Sequence, residues 1–155
     1  MALKILAVVD STHLGTTMKI AEAMAEAADM TITTVDKAAK YRLSDFDIVG
    51  FGSGIYYGKH SAKLISFVKN LDSREANTFV FSTSGTGKEK NNRALEDLLR
   101  SRNKTVLGSF CCKGHDQFAV FKLVGGLNKG RPDGRDLENA RRFIMSVVNK
   151  CEKQA

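Results

Sequence analysis

Leu3-Lys4-Ile5-Leu6-Ala7-Val8-Val9 runs directly into Asp10-Ser11-Thr12-His13-Leu14-Gly15-Thr16-Thr17, after which Ile20, Met24, Ala27 and Ala28 recur at helical spacing. An apolar run broken only by Lys4 is the pattern of a strand buried on both faces of a parallel sheet. The following stripe, with Lys19, Glu22 and Glu26 on its outer side, is an amphipathic helix. The two are joined by a turn rich in hydroxyls, so the chain opens as strand, loop and helix.

The same alternation continues outward from this unit. Thr31 to Val35 is a β-branched strand, and Phe46 to Phe51 is an apolar run ending in Gly50-Phe51-Gly52-Ser53-Gly54. Leu64, Phe67, Val68 and Leu71 lie at i, i+3, i+4 and i+7, the stripe of a second helix. Phe79 to Phe81 forms a fourth strand, and the loop Ser82-Thr83-Ser84-Gly85-Thr86-Gly87 leads to a helix marked by Leu95, Leu98 and Leu99. Thr105 to Phe110 is a fifth strand, and Leu137, Ala140, Ile144, Val147 and Val148 stripe a last helix. Strands alternating with helices predict a doubly wound α/β fold: five parallel strands with helices on both faces, because each crossover is right-handed. Ligands of such sheets bind beyond the carboxyl ends of the strands, which directs attention to the loops after strands one, three and four.

At 155 residues and 43% apolar composition the chain fits a single domain over residues 1–155, with no repeat, low-complexity tract or linker. No apolar run is long enough to span a bilayer and the N-terminus does not have the form of a signal sequence, so the expectation is a cytoplasmic protein with no membrane partner. Cys111, Cys112 and Cys151 fit neither a disulfide framework nor a zinc spacing. The net charge of +7 is uneven: residues 1–87 carry 9 basic and 9 acidic side chains, residues 88–155 carry 15 and 8. Such an imbalance is either a solvated basic face or a surface for acidic partners.

The first loop, with Ser11, Thr12, His13, Leu14, Gly15, Thr16 and Thr17 at a helix start, has the residue types of a phosphate cradle, since unpaired N–H groups and the dipole both favour an anion there. The plainer reading is that Thr16 or Thr17 caps the helix. Other phosphate loops do not match. Only Gly15 stands where a dinucleotide fingerprint needs three glycines, and Gly87-Lys88 is followed by Glu89 where a Walker A loop has Ser or Thr.

These loops resemble those of the flavodoxin-like family, over roughly Leu3 to Lys150. Thr12, Gly15 and Thr17 match that family's S/T-x-T-G-N-T phosphate loop, with Leu14 and Thr16 departing from it. Gly52-Ser53-Gly54-Ile55-Tyr56-Tyr57-Gly58 is similar to its G-S-P-I-Y-x-G loop, with Gly54 in place of Pro, and residues 82–87 look like the loop set against its flavin ring. The resemblance implies strand order 2-1-3-4-5 and an FMN site. It carries over to Ser11, Thr12, His13, Leu14, Gly15, Thr16 and Thr17 at the phosphate, to Ser53, Gly54, Ile55, Tyr56, Tyr57 and Gly58, and to Thr83, Ser84, Gly85, Thr86 and Gly87 at the ring. Tyr56 and Tyr57 suit stacking on a flavin face, although a tyrosine half-buried in a surface loop is the structural alternative.

The implied function is electron transfer between redox partners, with no catalytic side chain and no metal. The alternative is an FMN-dependent oxidoreductase passing electrons from NAD(P)H to a quinone-type acceptor. A cofactor-free module binding nucleic acid through its basic face is disfavoured, because aromatic and basic residues do not interleave. Lys59 and His60 stand beside the tyrosine loop, where a cation would favour negative charge on the ring and raise its potential. Residues 113–135 form a long connection in which Lys122, Lys129 and Arg131 would meet an acidic redox partner, a nucleotide phosphate, or solvent alone, and His115 would donate a proton to a substrate or be structural or solvated. The vicinal Cys111-Cys112 pair reads as packed thiols in preference to a disulfide.

Overall fold

A computed structural model describes residues 2–11, 15–114 and 130–154. Five parallel strands form the sheet: β1 (Ile5–Asp10), β2 (Met30–Thr34), β3 (Ile48–Tyr56), β5 (Ala76–Ser84) and β6 (Lys104–Lys113). They lie in the order β2-β1-β3-β5-β6. A sixth strand, β4 (Lys59–His60), was not foreseen; it pairs antiparallel with the end of β3 through Tyr56–Lys59 and Ile55–His60. Leaving that hairpin arm aside, the parallel strands follow the expected order 2-1-3-4-5.

The continuous apolar run of β1 is explained by its neighbours. Ile5, Ala7 and Val9 face one helical layer, Leu6 and Val8 face the other, and all five are fully buried. The first layer holds α1 (Thr16–Ala27) and α4 (Gly134–Gln154), which press Ile20, Met24, Ile144 and Val147 onto the sheet. The second holds α2 (Ala62–Lys69) and α3 (Arg93–Ser101), which press Leu64, Val68, Leu95 and Leu99 onto it. Ser61 starts α2 as its cap, its hydroxyl accepting the Leu64 N–H at 3.2 Å. Two 3-10 turns, Val35–Lys40 and Leu43–Asp45, connect β2 to β3.

Strand ends differ from the sequence reading in one consistent way. Ser53 to Tyr56 belong to β3, Ser82 to Ser84 to β5, and Cys111 to Lys113 to β6, although each stretch reads as loop. The glycines of β3 have a packing cause. Gly50 and Gly52 face α1 and α4, and a Cβ built on either would fall inside the ring of Phe79 or Phe81. The two rings stack at 5.9 Å, and Phe143 of α4 meets Phe79 edge-on at 5.9 Å. Glycine is therefore required in mid-strand, despite its lower strand propensity, so that two aromatic side chains can press closely against the backbone.

Gly50→Ala is expected to lower stability by about 3 kcal/mol, the upper range for overpacking, with part of the loss recovered by adding Phe79→Leu. Urea unfolding of the single and double variants measures both effects.

Candidate functional site

Three chain segments meet at the carboxyl end of the sheet, and they are the three singled out from sequence. At the first, β1 ends at Asp10 and Ser11, and α1 begins after Gly15, whose φ of 66° is a left-handed conformation that favours glycine. Thr12, His13 and Leu14 lie outside the described residues. Thr16 and Thr17 are buried but do not cap the helix. Their hydroxyls lie 3.2 and 2.7 Å from the Thr83 hydroxyl, which ties the first turn of α1 to the end of β5. Ser11 Oγ accepts the N–H of Met18, in the first turn of α1, at 3.4 Å, while Gly15 at the N-cap position has no side chain to offer. What this turn offers an anion is its main-chain N–H groups.

The second segment is the β3–β4 hairpin. Ser53 is fully buried and serves as a brace: its hydroxyl donates to the Gly54 carbonyl at 2.6 Å and accepts the Ser61 N–H at 3.0 Å. Gly54 and Ile55 are half-buried. A Cβ on Gly54 would stand 3.3 Å from Tyr56 Oη, so the ring of Tyr56 folds back over this position. The turn itself is Tyr57-Gly58, with φ 53° and 79°, the pair of positive angles that a tight hairpin demands. Tyr57 is 92% exposed. The two tyrosines thus differ: one packs onto its own strand and the other stands out over the site.

The third segment follows β5. Ser82 and Thr83 are buried in the strand, and Ser84 shapes the turn by accepting the Gly87 N–H at 2.8 Å. Asn91, which the sequence reading passed over, reaches Thr86 Oγ1 at 3.4 Å from the 3-10 turn Glu89–Asn92. The Cys111 thiol donates to the Gly87 carbonyl at 3.1 Å. Residues 84–87 are therefore held from two sides, with Gly85 and Thr86 at the tip. The signal for Asn91 was the Asn91-Asn92 pair ahead of a helix, a capping composition.

His60 does not supply the cation expected beside the tyrosine loop. It is buried under the hairpin, Nε2 donates to the Phe81 carbonyl at 3.0 Å, and burial lowers its pKa to about 4. A carbonyl only accepts, so Nε2 carries the proton of a neutral ring. Its Nδ1, like Ser82 Oγ and Asn92 Oδ1, is buried without a partner among the described residues. Lys59 remains as the exposed cation of the hairpin.

Arg131 is likewise not a free cation. It forms a two-pronged pair with Asp136 at 2.6 and 2.8 Å, where the guanidinium holds the carboxyl below its usual range. Asp133 accepts the Asp136 N–H at 3.0 Å, so the pair fixes the start of α4. His115, Lys122 and Lys129 lie outside the described residues. Cys111 and Cys112 are successive residues of β6 and point to opposite faces of the sheet. Burial pushes the Cys112 thiol up to about 12 and raises Cys111 as well, so neither is an activated thiolate. Among the described residues no group of three or more His, Cys, Asp or Glu could hold a metal, and no helix is long and apolar enough to cross a membrane.

A doubly wound sheet of this strand order, with its loops gathered at the carboxyl edge, defines a class of protein, and comparison identifies it. A family model described as a flavodoxin domain matches residues 7–155. The chain belongs to the flavodoxin family. An uncharacterized protein of Methanocaldococcus jannaschii is 36% identical over 148 residues, covering 94% of this chain and 99% of that protein. Among solved structures, a flavodoxin from the domain Archaea has 15% identity and a TM-score of 0.65, over 97% of this chain and 99% of that one. Flavodoxin 2 from Bacillus cereus has 18% identity and a TM-score of 0.67, over 95% and 99%. A WrbA-like flavodoxin from Agrobacterium tumefaciens has 18% identity and a TM-score of 0.60, over 99% and 100%. At these identities the solved structures share the fold.

Two outcomes follow from the hairpin. Tyr57 holds a left-handed conformation that costs a non-glycine residue about 1 kcal/mol, so Tyr57→Asn should raise unfolding stability by that amount. His60 gives a pH effect of definite sign. Its folded pKa of about 4 lies below the ordinary 6.5, so the unfolded chain takes up the proton first. The stabilisation is complete above pH 6.5 and is lost as pH falls toward 4, to a total of about 3 kcal/mol. Urea unfolding between these pH values should show the loss, and His60→Gln should remove it.

Proposed function

We propose that this flavodoxin-family chain binds one FMN noncovalently and carries electrons between redox partner proteins. The observation that supports this most is the start of α1: a left-handed Gly15 at the N-cap position, with open space where a Cβ would stand and main-chain N–H groups of the first turn behind it. Main-chain N–H groups at such a terminus suit a phosphate, and a Cβ at this position would strain the turn that presents them. The residues present thus fit the group.

FMN would supply the redox chemistry, and this chain's residues would bind and tune it. The first turn of α1 would hold the phosphate. The turn 84–87, stiffened by Ser84 and Asn91, would meet the polar edge of the ring with N–H groups that have no need to reorganise. Tyr57 would cover a ring face. Lys59, one residue past the hairpin turn, would favour negative charge on the ring, while neutral His60 would not. No side chain is required to move a proton for one-electron transfer.

The purified protein is expected to show a flavin visible spectrum, or to acquire one on titration, with one FMN per chain; a colourless protein that ignores added FMN overturns the reading. Gly15→Val should weaken FMN at least tenfold, the equivalent of 1–2 kcal/mol of backbone strain. A redox titration should give lower potentials for Lys59→Glu than for the parent. Steady NADH oxidation by the loaded protein, with a quinone present, would move the function to the oxidoreductase class.

A further inference from the structure

The structure places five exposed cations around one end of the candidate site. Lys59 sits on β4, Lys88 precedes the 3-10 turn Glu89–Asn92, Lys90 lies within it and Arg93 follows it, and Lys113 ends β6. They are brought together by contacts already described in part. His60 fastens β4 to β5 through the Phe81 carbonyl, and β4 packs against the 3-10 turn. Gly114 N–H donates to the Ser84 carbonyl at 2.9 Å, joining the ends of β6 and β5. Lys113 stands against Gly87, its backbone nitrogen 3.1 Å from where a Cβ would be. Lys88 follows directly.

None of the five is paired with a carboxylate among the described residues, whereas Lys63, Arg100, Arg141 and Arg142 elsewhere on the surface are. Residues 57–60, 84–93 and 111–114 contain these five cations and a single acid, Glu89. With His60 neutral, the rim carries a clear positive excess.

We propose that this rim is the docking face for an acidic protein electron carrier. The proposal rests on the electron-carrier reading above and assigns its partner and surface. From β3 to β6 the rim spans two interstrand spacings, about 10 Å. That is wider than one phosphate or carboxylate can bridge, and it suits several carboxylates spread over a protein surface. All five side chains are exposed, whereas donors for a small anion converge on a buried point. Charges so placed steer encounter and orientation more than they hold a complex tightly, which fits a carrier that must also leave.

The probe is an acidic plant-type [2Fe–2S] ferredoxin, with basic cytochrome c and a single-stranded DNA oligomer as controls, titrated calorimetrically into the full chain. Ferredoxin should bind, and weaken steeply between about 50 and 200 mM salt as screening shortens the reach of the charges. Lys88→Glu with Arg93→Glu should weaken it about 10- to 100-fold, and Lys88→Gln with Arg93→Gln should fall between that pair and the parent. Lys69→Glu with Lys153→Glu, at the opposite end of the sheet, should leave it within about twofold. The proposal is overturned by equal loss in both reversal pairs, by absence of salt-sensitive ferredoxin binding, by preference for cytochrome c, or by tighter binding of DNA than of ferredoxin. FMN titration of the same proteins separates the two readings. A chain that docks ferredoxin but takes up no FMN retains the docking face and loses the cofactor; the reverse result does the opposite.

Discussion

Two phenyl rings can press this closely against a strand only where the strand has no side chains, and this requirement fixes much of the molecule. Phe79 and Phe81 occupy the space above Gly50 and Gly52. They stack on each other, and the edge-on contact of Phe143 with Phe79 helps to position α4 on the sheet. The same face carries α1, whose first turn is bonded through Thr16 and Thr17 to Thr83, two residues beyond Phe81. The helix start that suits a phosphate and the strand end that leads to the 84–87 turn are therefore joined by hydroxyl contacts no longer than 3.2 Å. The spacing between those two segments is set within the core.

The opposite face uses polar braces for the same purpose. Ser53 fastens the hairpin to the start of α2, and His60 fastens it to β5. Asn91 and the Cys111 thiol hold the 84–87 turn from below. Ser53, His60 and Cys111 drew attention from the sequence by residue type, whereas Asn91 did not. In place, most of their polar atoms are already engaged in protein hydrogen bonds, and they act as braces of the site. A rigid frame with donors aimed outward suits a cofactor whose own chemistry is the reaction, because little of the frame has to move.

The fold was legible because its signals are periodic. A doubly buried strand such as Ile5–Val9 cannot alternate, and the helices show one apolar stripe each. The site was legible as three stretches but not as side-chain roles. Ser82-Thr83-Ser84 has the composition of a loop, yet it continues a strand because β3 and β6 pair with Ser82 and Thr83 and β6 pairs with Ser84. The β4 arm was hidden because its turn is Tyr57-Gly58, where a residue such as Asn would have advertised the left-handed angle. His60 could not be read as neutral from the chain alone. Its charge is decided by the depth of burial under an arm that was itself unforeseen.

The edge strand β6 carries a further consequence. Its two adjacent cysteines belong to different compartments, Cys111 bordering the outer turn and Cys112 sealed in the layer beneath α1 and α4. A thiol reagent added to the native protein meets the first at the surface, but it reaches the second only when the strand lifts from its helices. The ratio of the two labelling rates is thus an internal gauge of local opening, encoded in consecutive residues of one strand.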